Sequence, residues 1–92
     1  MKRDKRERLE VIYDILFTIK ENQNSIKPTP LLRYSNLSFN SFKEYEEELI
    51  GKKLMLELID KKGKKYYSLT DKGFKYLEKY KVILNFIDEF EL

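Results

Sequence analysis

Three residues, Asn36-Leu37-Ser38, separate two stretches that both read as helix, and so short a connection restricts how the two can pack. The stretch before it opens at Thr29-Pro30, a threonine in N-cap position ahead of a proline whose missing N–H costs nothing in a first helical turn. A short helix from Pro30 to about Ser35 is expected, with Leu31 and Leu32 inward and Arg33 and Tyr34 at one edge. Leu37 then pins the turn. Beyond it, Ser38 is the expected N-cap of the next helix, with Asn40 or Ser41 and Glu44 as a competing capping box. Phe42, Tyr45 and Leu49 recur at spacings of three and four and form the inward stripe. Phe39, Asn40, Ser41, Lys43, Glu44 and Glu47 are left at the front and outer side. This helix should end between Gly51 and Lys53.

The residues before this pair make a platform for it. Leu9, Ile12, Leu16 and Ile19 recur at helical spacing, widened by Val11, Tyr13, Ile15 and Phe17, and predict an amphipathic helix from about Asp4 to Glu21. Asn22-Gln23-Asn24-Ser25 ends it, because short polar side chains compete for backbone hydrogen bonds. After the pair, Leu54 to Asp60 suits a half-buried strand and Tyr66 to Leu69 its partner. Asp60-Lys61-Lys62-Gly63-Lys64-Lys65 forms the turn, with Gly63 free to take a positive φ. Thr70 caps a last helix running towards Leu92, with Asp71 in its first turn. At about 20 residues it would be ~30 Å long, more than so small a domain covers.

The last helix carries two apolar stripes. Phe74, Leu77 and Leu84 can pack on the chain's own core, while Tyr76, Tyr80, Ile83, Ile87 and Phe90 follow a heptad spacing. The second stripe predicts a homodimer seam, with packing against the first helix as the alternative. The expected division is a domain over residues 1–70 and a dimerisation helix over 71–92.

Composition narrows the chemistry. With no cysteine and no histidine, thiolate or imidazole metal sites, cysteine nucleophiles and histidine acid–base catalysis are excluded. No cofactor and no enzymatic activity are expected. Apolar runs fall far short of the ~20 residues of a membrane span, and the basic N-terminal run lacks a signal-peptide core, so a cytoplasmic protein is expected. Net charge is only +3, but it is unevenly spread. Lys2, Arg3, Lys5, Arg6 and Arg8 cluster at one end, and Lys61, Lys62, Lys64 and Lys65 crowd the hairpin tip without an acid among them. Between these lies an acidic block, Glu44, Glu46, Glu47 and Glu48. A polyanion approaching the chain meets the basic clusters first.

Helix, helix-turn-helix, two-stranded hairpin and long terminal helix is a winged-helix arrangement, α+β and mostly helical. The segments TPLLRYSNLSFNSFKEYEEELIGKKLM and KKYYSLTDKGFKYLEKY make the likeness closer. The chain resembles the archaeal 10a-type winged-helix DNA-binding proteins of Sulfolobus and their relatives, from about Leu9 to Tyr80. The resemblance implies a dimer joined by an antiparallel coiled coil of the terminal helices, with a winged helix at each end binding duplex DNA. It carries the family's reading face onto Ser38, Asn40, Ser41 and Lys43, and its wing onto Lys61 to Lys65. Lys53 departs from the pattern, standing where relatives usually carry the glycine that ends the third helix. The glutamates of residues 44–48 depart too, since they are unfavourable beside phosphates.

The expected function is double-stranded DNA binding by a homodimer, as a transcriptional regulator or nucleoid-associated protein. Arg33, Ser38, Asn40, Ser41, Lys43, Lys61, Lys62, Lys64 and Lys65 are the candidate contacts. Tyr76, Tyr80, Ile83, Ile87 and Phe90 are the candidate seam. The alternative is a winged helix used as a protein-interaction or assembly module, with its acidic helix turned to a protein partner.

Overall fold

The computed structural model describes residues 7–92. Helices α1 (Arg8–Glu21), α2 (Pro28–Ser35) and α3 (Phe39–Gly51) lead into a hairpin of β1 (Met55–Ile59) and β2 (Lys65–Leu69), and α4 (Asp71–Glu89) follows. The expected helix start at Asp4 and the basic residues Lys2, Arg3, Lys5 and Arg6 lie outside the described residues. Glu7 occupies the cap position of α1.

Each helix boundary has a local cause, and one differs from expectation. Helix α2 begins at Pro28, with Lys27 in the cap position, so Thr29 is a first-turn residue and not the cap. The two prolines explain this. Pro28 and Pro30 both fall among the first three helical positions, where a backbone N–H would have no partner inside the helix anyway. Leu31 then makes the first bond, its N–H donating to the Lys27 carbonyl at 3.2 Å. Asn36 closes α2 in the left-handed conformation, φ 61°, and the Ser35 hydroxyl accepts from the Leu37 N–H at 3.2 Å. Ser38 caps α3, accepting from the Ser41 N–H at 3.2 Å.

Helix α3 ends in a Schellman arrangement, with the Lys53 N–H on the Ile50 carbonyl at 3.0 Å and the Leu54 N–H on the Leu49 carbonyl at 2.9 Å. The motif needs a left-handed residue, and Lys53 supplies it at φ 62°. A side chain thus stands where glycine is the natural occupant.

The hairpin is antiparallel, pairing Met55 with Leu69 through to Ile59 with Lys65. Its far edge is not open along its whole length. Ile26 bridges to Tyr67 through two backbone bonds of 3.2 and 2.8 Å, and the Asn24 side-chain oxygen accepts from the Leu69 N–H at 2.7 Å. The α1–α2 loop is thereby laced to β2. Under this sheet Ile15, Leu16, Ile19, Leu31, Leu49, Met55 and Tyr67 are fully covered, and each apolar side chain so buried contributes roughly 1.5–3 kcal/mol before entropy is counted.

Helix α4 crosses this core with its first half only. Leu77 is buried, Phe74 is half-buried, and Gly73 lies so close to the Leu54 carbonyl that a Cβ would overlap it. Tyr76 and Tyr80 have a partner inside the chain. The Tyr76 hydroxyl donates to the Leu9 carbonyl at 2.7 Å, and the Tyr80 ring packs 5.2 Å from that of Tyr13 and 5.9 Å from that of Tyr76. Two members of the expected seam therefore follow the alternative and lean on α1. The exposed apolar surface begins one turn later, with Val82, Ile83, Phe86, Ile87, Phe90 and Leu92. No helix among the described residues is long and apolar enough to cross a membrane.

Candidate nucleic-acid interface

Helical geometry divides α3 into a buried row, Phe42, Glu46 and Leu49, and an opposite exposed row, Asn40, Glu44, Glu47 and Gly51. The four glutamates of residues 44–48 therefore do not form one solvated face. Glu46 is 5% exposed, at a position where the stripe calls for an apolar side chain. It is held by the Tyr67 hydroxyl, which donates to it, and by the Lys43 ammonium at 2.8 Å. Burial pushes the carboxyl up, but the bonds from Lys43 and Tyr67 outweigh it and keep Glu46 below the usual carboxylate range. Burial, reinforced by the Glu46 carboxylate, drives the Tyr67 phenol far above its ordinary value. Glu48 is also engaged. Arg8 at the start of α1 and Lys52, at 2.8 Å, both bind it and lower its affinity for a proton.

Glu44 and Glu47 remain on the outer row, exposed and without an ion pair among the described residues. The open part of α3 is thus its first turn, followed by two carboxylates. Of the residues expected to touch DNA here, Ser38 spends its hydroxyl on the cap and Lys43 its ammonium on Glu46. Asn40 is exposed and Ser41 partly so. Arg33 and Tyr34, in the last turn of α2, are both exposed.

The hairpin tip is organised by one carboxylate. Asp60 Oδ1 accepts from the backbone N–H groups of Lys62 and Lys64, both at 2.8 Å, while the Asp60 N–H donates to the Lys64 carbonyl at 2.8 Å. The bond from Lys64, against a smaller opposing effect of burial, holds the Asp60 carboxyl below its usual value. Gly63 takes φ 79°, the positive value the turn requires. Lys61, Lys62 and Lys64 stand exposed around it, with no carboxylate paired to them among the described residues. Lys65 differs, because its ammonium lies 2.6 Å from Glu57 on the neighbouring strand.

A family model described as winged helix-turn-helix matches residues 5–88. The chain belongs to that family. Its backbone is similar to the crystal structure of Sso10a-2, a DNA-binding protein from Sulfolobus solfataricus, with a TM-score of 0.76. The two share 15% identity over 94% of this chain and 86% of that one, so the likeness speaks for the fold. No curated protein matches in sequence. The resemblance to the 10a-type proteins thus holds at the level of the fold, and β1–β2 is the wing of the winged helix.

Sequence reasoning missed two features of this winged helix: the burial of Glu46 and the clamp of Arg8 and Lys52 on Glu48. A signal for the first was present, since position 46 falls four residues after Phe42 and three before Leu49, inside the apolar row. Half of the second was also local, since Lys52 stands four residues after Glu48, but nothing local announces Arg8, which is 40 residues away.

Proposed function

We propose that this winged helix binds double-stranded DNA as a homodimer, in the cytoplasm, as a regulator of transcription or a nucleoid-associated protein. The observation that carries the reading is the wing tip, where Lys61, Lys62 and Lys64 are exposed, unpaired among the described residues and mounted on a turn already ordered by Asp60. A preordered cationic tip suits a phosphate backbone, since little conformational entropy is lost on contact. Arg33, Asn40 and Ser41 orient the domain on the duplex, and the name of Sso10a-2 as a DNA-binding protein agrees with this use of the fold.

The dimer follows from α4. Its last turns expose Ile83, Phe86, Ile87 and Phe90 to water, more apolar surface than a lone helix end has reason to carry. Their charges also run against the helix dipole, with Asp88 and Glu89 in the last turn and no base there. A second α4 running the opposite way sets the lysine-rich half, Lys72 to Lys81, beside that acidic end, which favours an antiparallel seam.

Each protomer on this reading neutralises on the order of 3 to 6 phosphates, so log affinity falls by about 0.9 per contact per log unit of salt. Titrating a mixed-sequence duplex at several salt concentrations checks it. A steep linear fall is expected, and a flat dependence or no binding at low salt overturns it. The exposed pair Glu44 and Glu47 favours one second reading, a protein-assembly module, in which the chain captures a partner from DNA-free lysate and ignores the duplex.

A further inference from the structure

The first residue of α3 puts a large apolar side chain on the surface assigned above to DNA, exposed to the same degree as the Tyr34 ring and Ile59 of the wing. Phe39 is 63% exposed. Its ring borders a shallow groove between α2, α3 and β2, whose other walls include Pro28, Leu32, Phe42, Lys43 and Lys65. Both ammonium groups are already paired, Lys43 with Glu46, which also lines the groove, and Lys65 with Glu57, and Asn40 follows next in sequence. Such polar surroundings suit a hydrogen-bonding partner that also offers a small apolar group better than a wholly apolar protein surface.

The orientation of α3 follows from its outer row. Glu44 and Glu47, one and two turns beyond Asn40, are exposed carboxylates, and laying that row along the groove would bring them towards the phosphates on either side. Entry by the first turn avoids this. The helix N-terminus, with its partial positive charge, then leads, and Phe39 and Asn40 reach the base edges before any carboxylate does. In the major groove the apolar group available to a phenyl ring is the 5-methyl of thymine, while an asparagine side chain can pair with adenine.

We infer that α3 enters the major groove end-on and that Phe39 reads the 5-methyl group of thymine. The inference rests on the DNA-binding reading above and adds to it a source of sequence preference. The ring does not hydrogen-bond and cannot substitute for the wing's electrostatic grip. It contributes a modest discrimination, set by the burial of one methyl group against its face.

The test compares two pools of the same mixed-sequence duplexes, one made with thymine and one with uracil, which removes only the methyl group. Wild-type protein should bind the thymine pool about fourfold more tightly, the factor that burying one methyl group gives. Phe39→Ala should bind both pools equally, with the salt slope unchanged, and Phe39→Leu should retain part of the preference. The exposure of Phe39 makes these variants mild for folding, which far-ultraviolet circular dichroism verifies. Equal wild-type affinity for both pools, or a preference that survives in Phe39→Ala, overturns the inference while leaving DNA binding intact. Failure of the wild-type protein to bind either pool overturns the DNA reading itself.

Discussion

Glu46 shows what a single buried charge costs and gives in this fold. Its position belongs to the apolar row of α3, yet Lys43 and Tyr67 supply the partners that a buried carboxylate must have. The side chain thereby ties the third helix to the wing strand β2. Glu46→Ala leaves the Tyr67 hydroxyl without its acceptor in the interior, and a loss of about 2–3 kcal/mol is expected in urea unfolding. The charge itself has a pH signature. The folded protein holds the Glu46 carboxyl below its unfolded value, so the stabilisation is complete above the ordinary carboxylate range and disappears as pH falls through the depressed value. Stability should therefore drop on the acid side less steeply in Glu46→Gln than in the wild type, and superimposable profiles would remove Glu46 from the acid response. Lys53 makes the opposite case, a side chain where the backbone asks for none. At φ 62° it bears the left-handed penalty, and Lys53→Gly should raise stability by about 0.5–1 kcal/mol with no change in the denaturant slope.

At the scale of elements, the joint between wing and last helix is the least forgiving place. Gly73 passes against the Leu54 carbonyl, and Gly73→Ala forces α4 away from β1. A loss above about 2 kcal/mol is expected in thermal unfolding, although alanine favours helices elsewhere. The wing itself is tolerant at its tip. Lys62→Glu with Lys64→Glu should leave the unfolding midpoint nearly unchanged while weakening binding to all duplex sequences alike, and unaltered affinity would take the wing out of the mechanism. Much of this level was legible in sequence because its signals are local. Ser38 and Thr70 cap as their hydroxyls demand, Asn36 turns left-handed, and Gly63 sits at the positive φ of the hairpin. The start of α2 misled because Thr29-Pro30 is a good cap signal, but Pro28 satisfies the same rule two residues earlier. The candidate site was less legible. Lysines are plain in a sequence, whereas their pairing is not: Lys43 is taken by Glu46 one turn on in the same helix, and Lys65 by Glu57 across the hairpin.

The whole molecule measures 48 × 28 × 21 Å, elongated for a chain of this size. Helix α4, about 28 Å long at 1.5 Å per residue, carries apolar side chains past the core. The first half of the heptad stripe is shared with α1 through Tyr76 and Tyr80, and burial, with a smaller effect of neighbouring Tyr80, pushes the Tyr76 phenol up to about 12. The proposed association is left to Ile83, Phe86, Ile87 and Phe90. Ile83→Glu with Ile87→Glu should sediment as a monomer with unchanged helical content, because both side chains are already partly exposed in the single chain. A dimer that persists in this variant would refute the α4 seam.

The Asp60 clamp bears finally on how quickly a complex would form and come apart. Since the tip of the wing is closed before any contact, no loop has to order during encounter, and association should proceed at a rate set by diffusion and the electric field of the lysines. Added salt would then act mainly by slowing arrival. Asp60→Asn, which keeps one acceptor but removes the charge, would leave arrival fast, whereas Asp60→Ala would loosen the turn and turn a rapid docking into a slower, folding-coupled one.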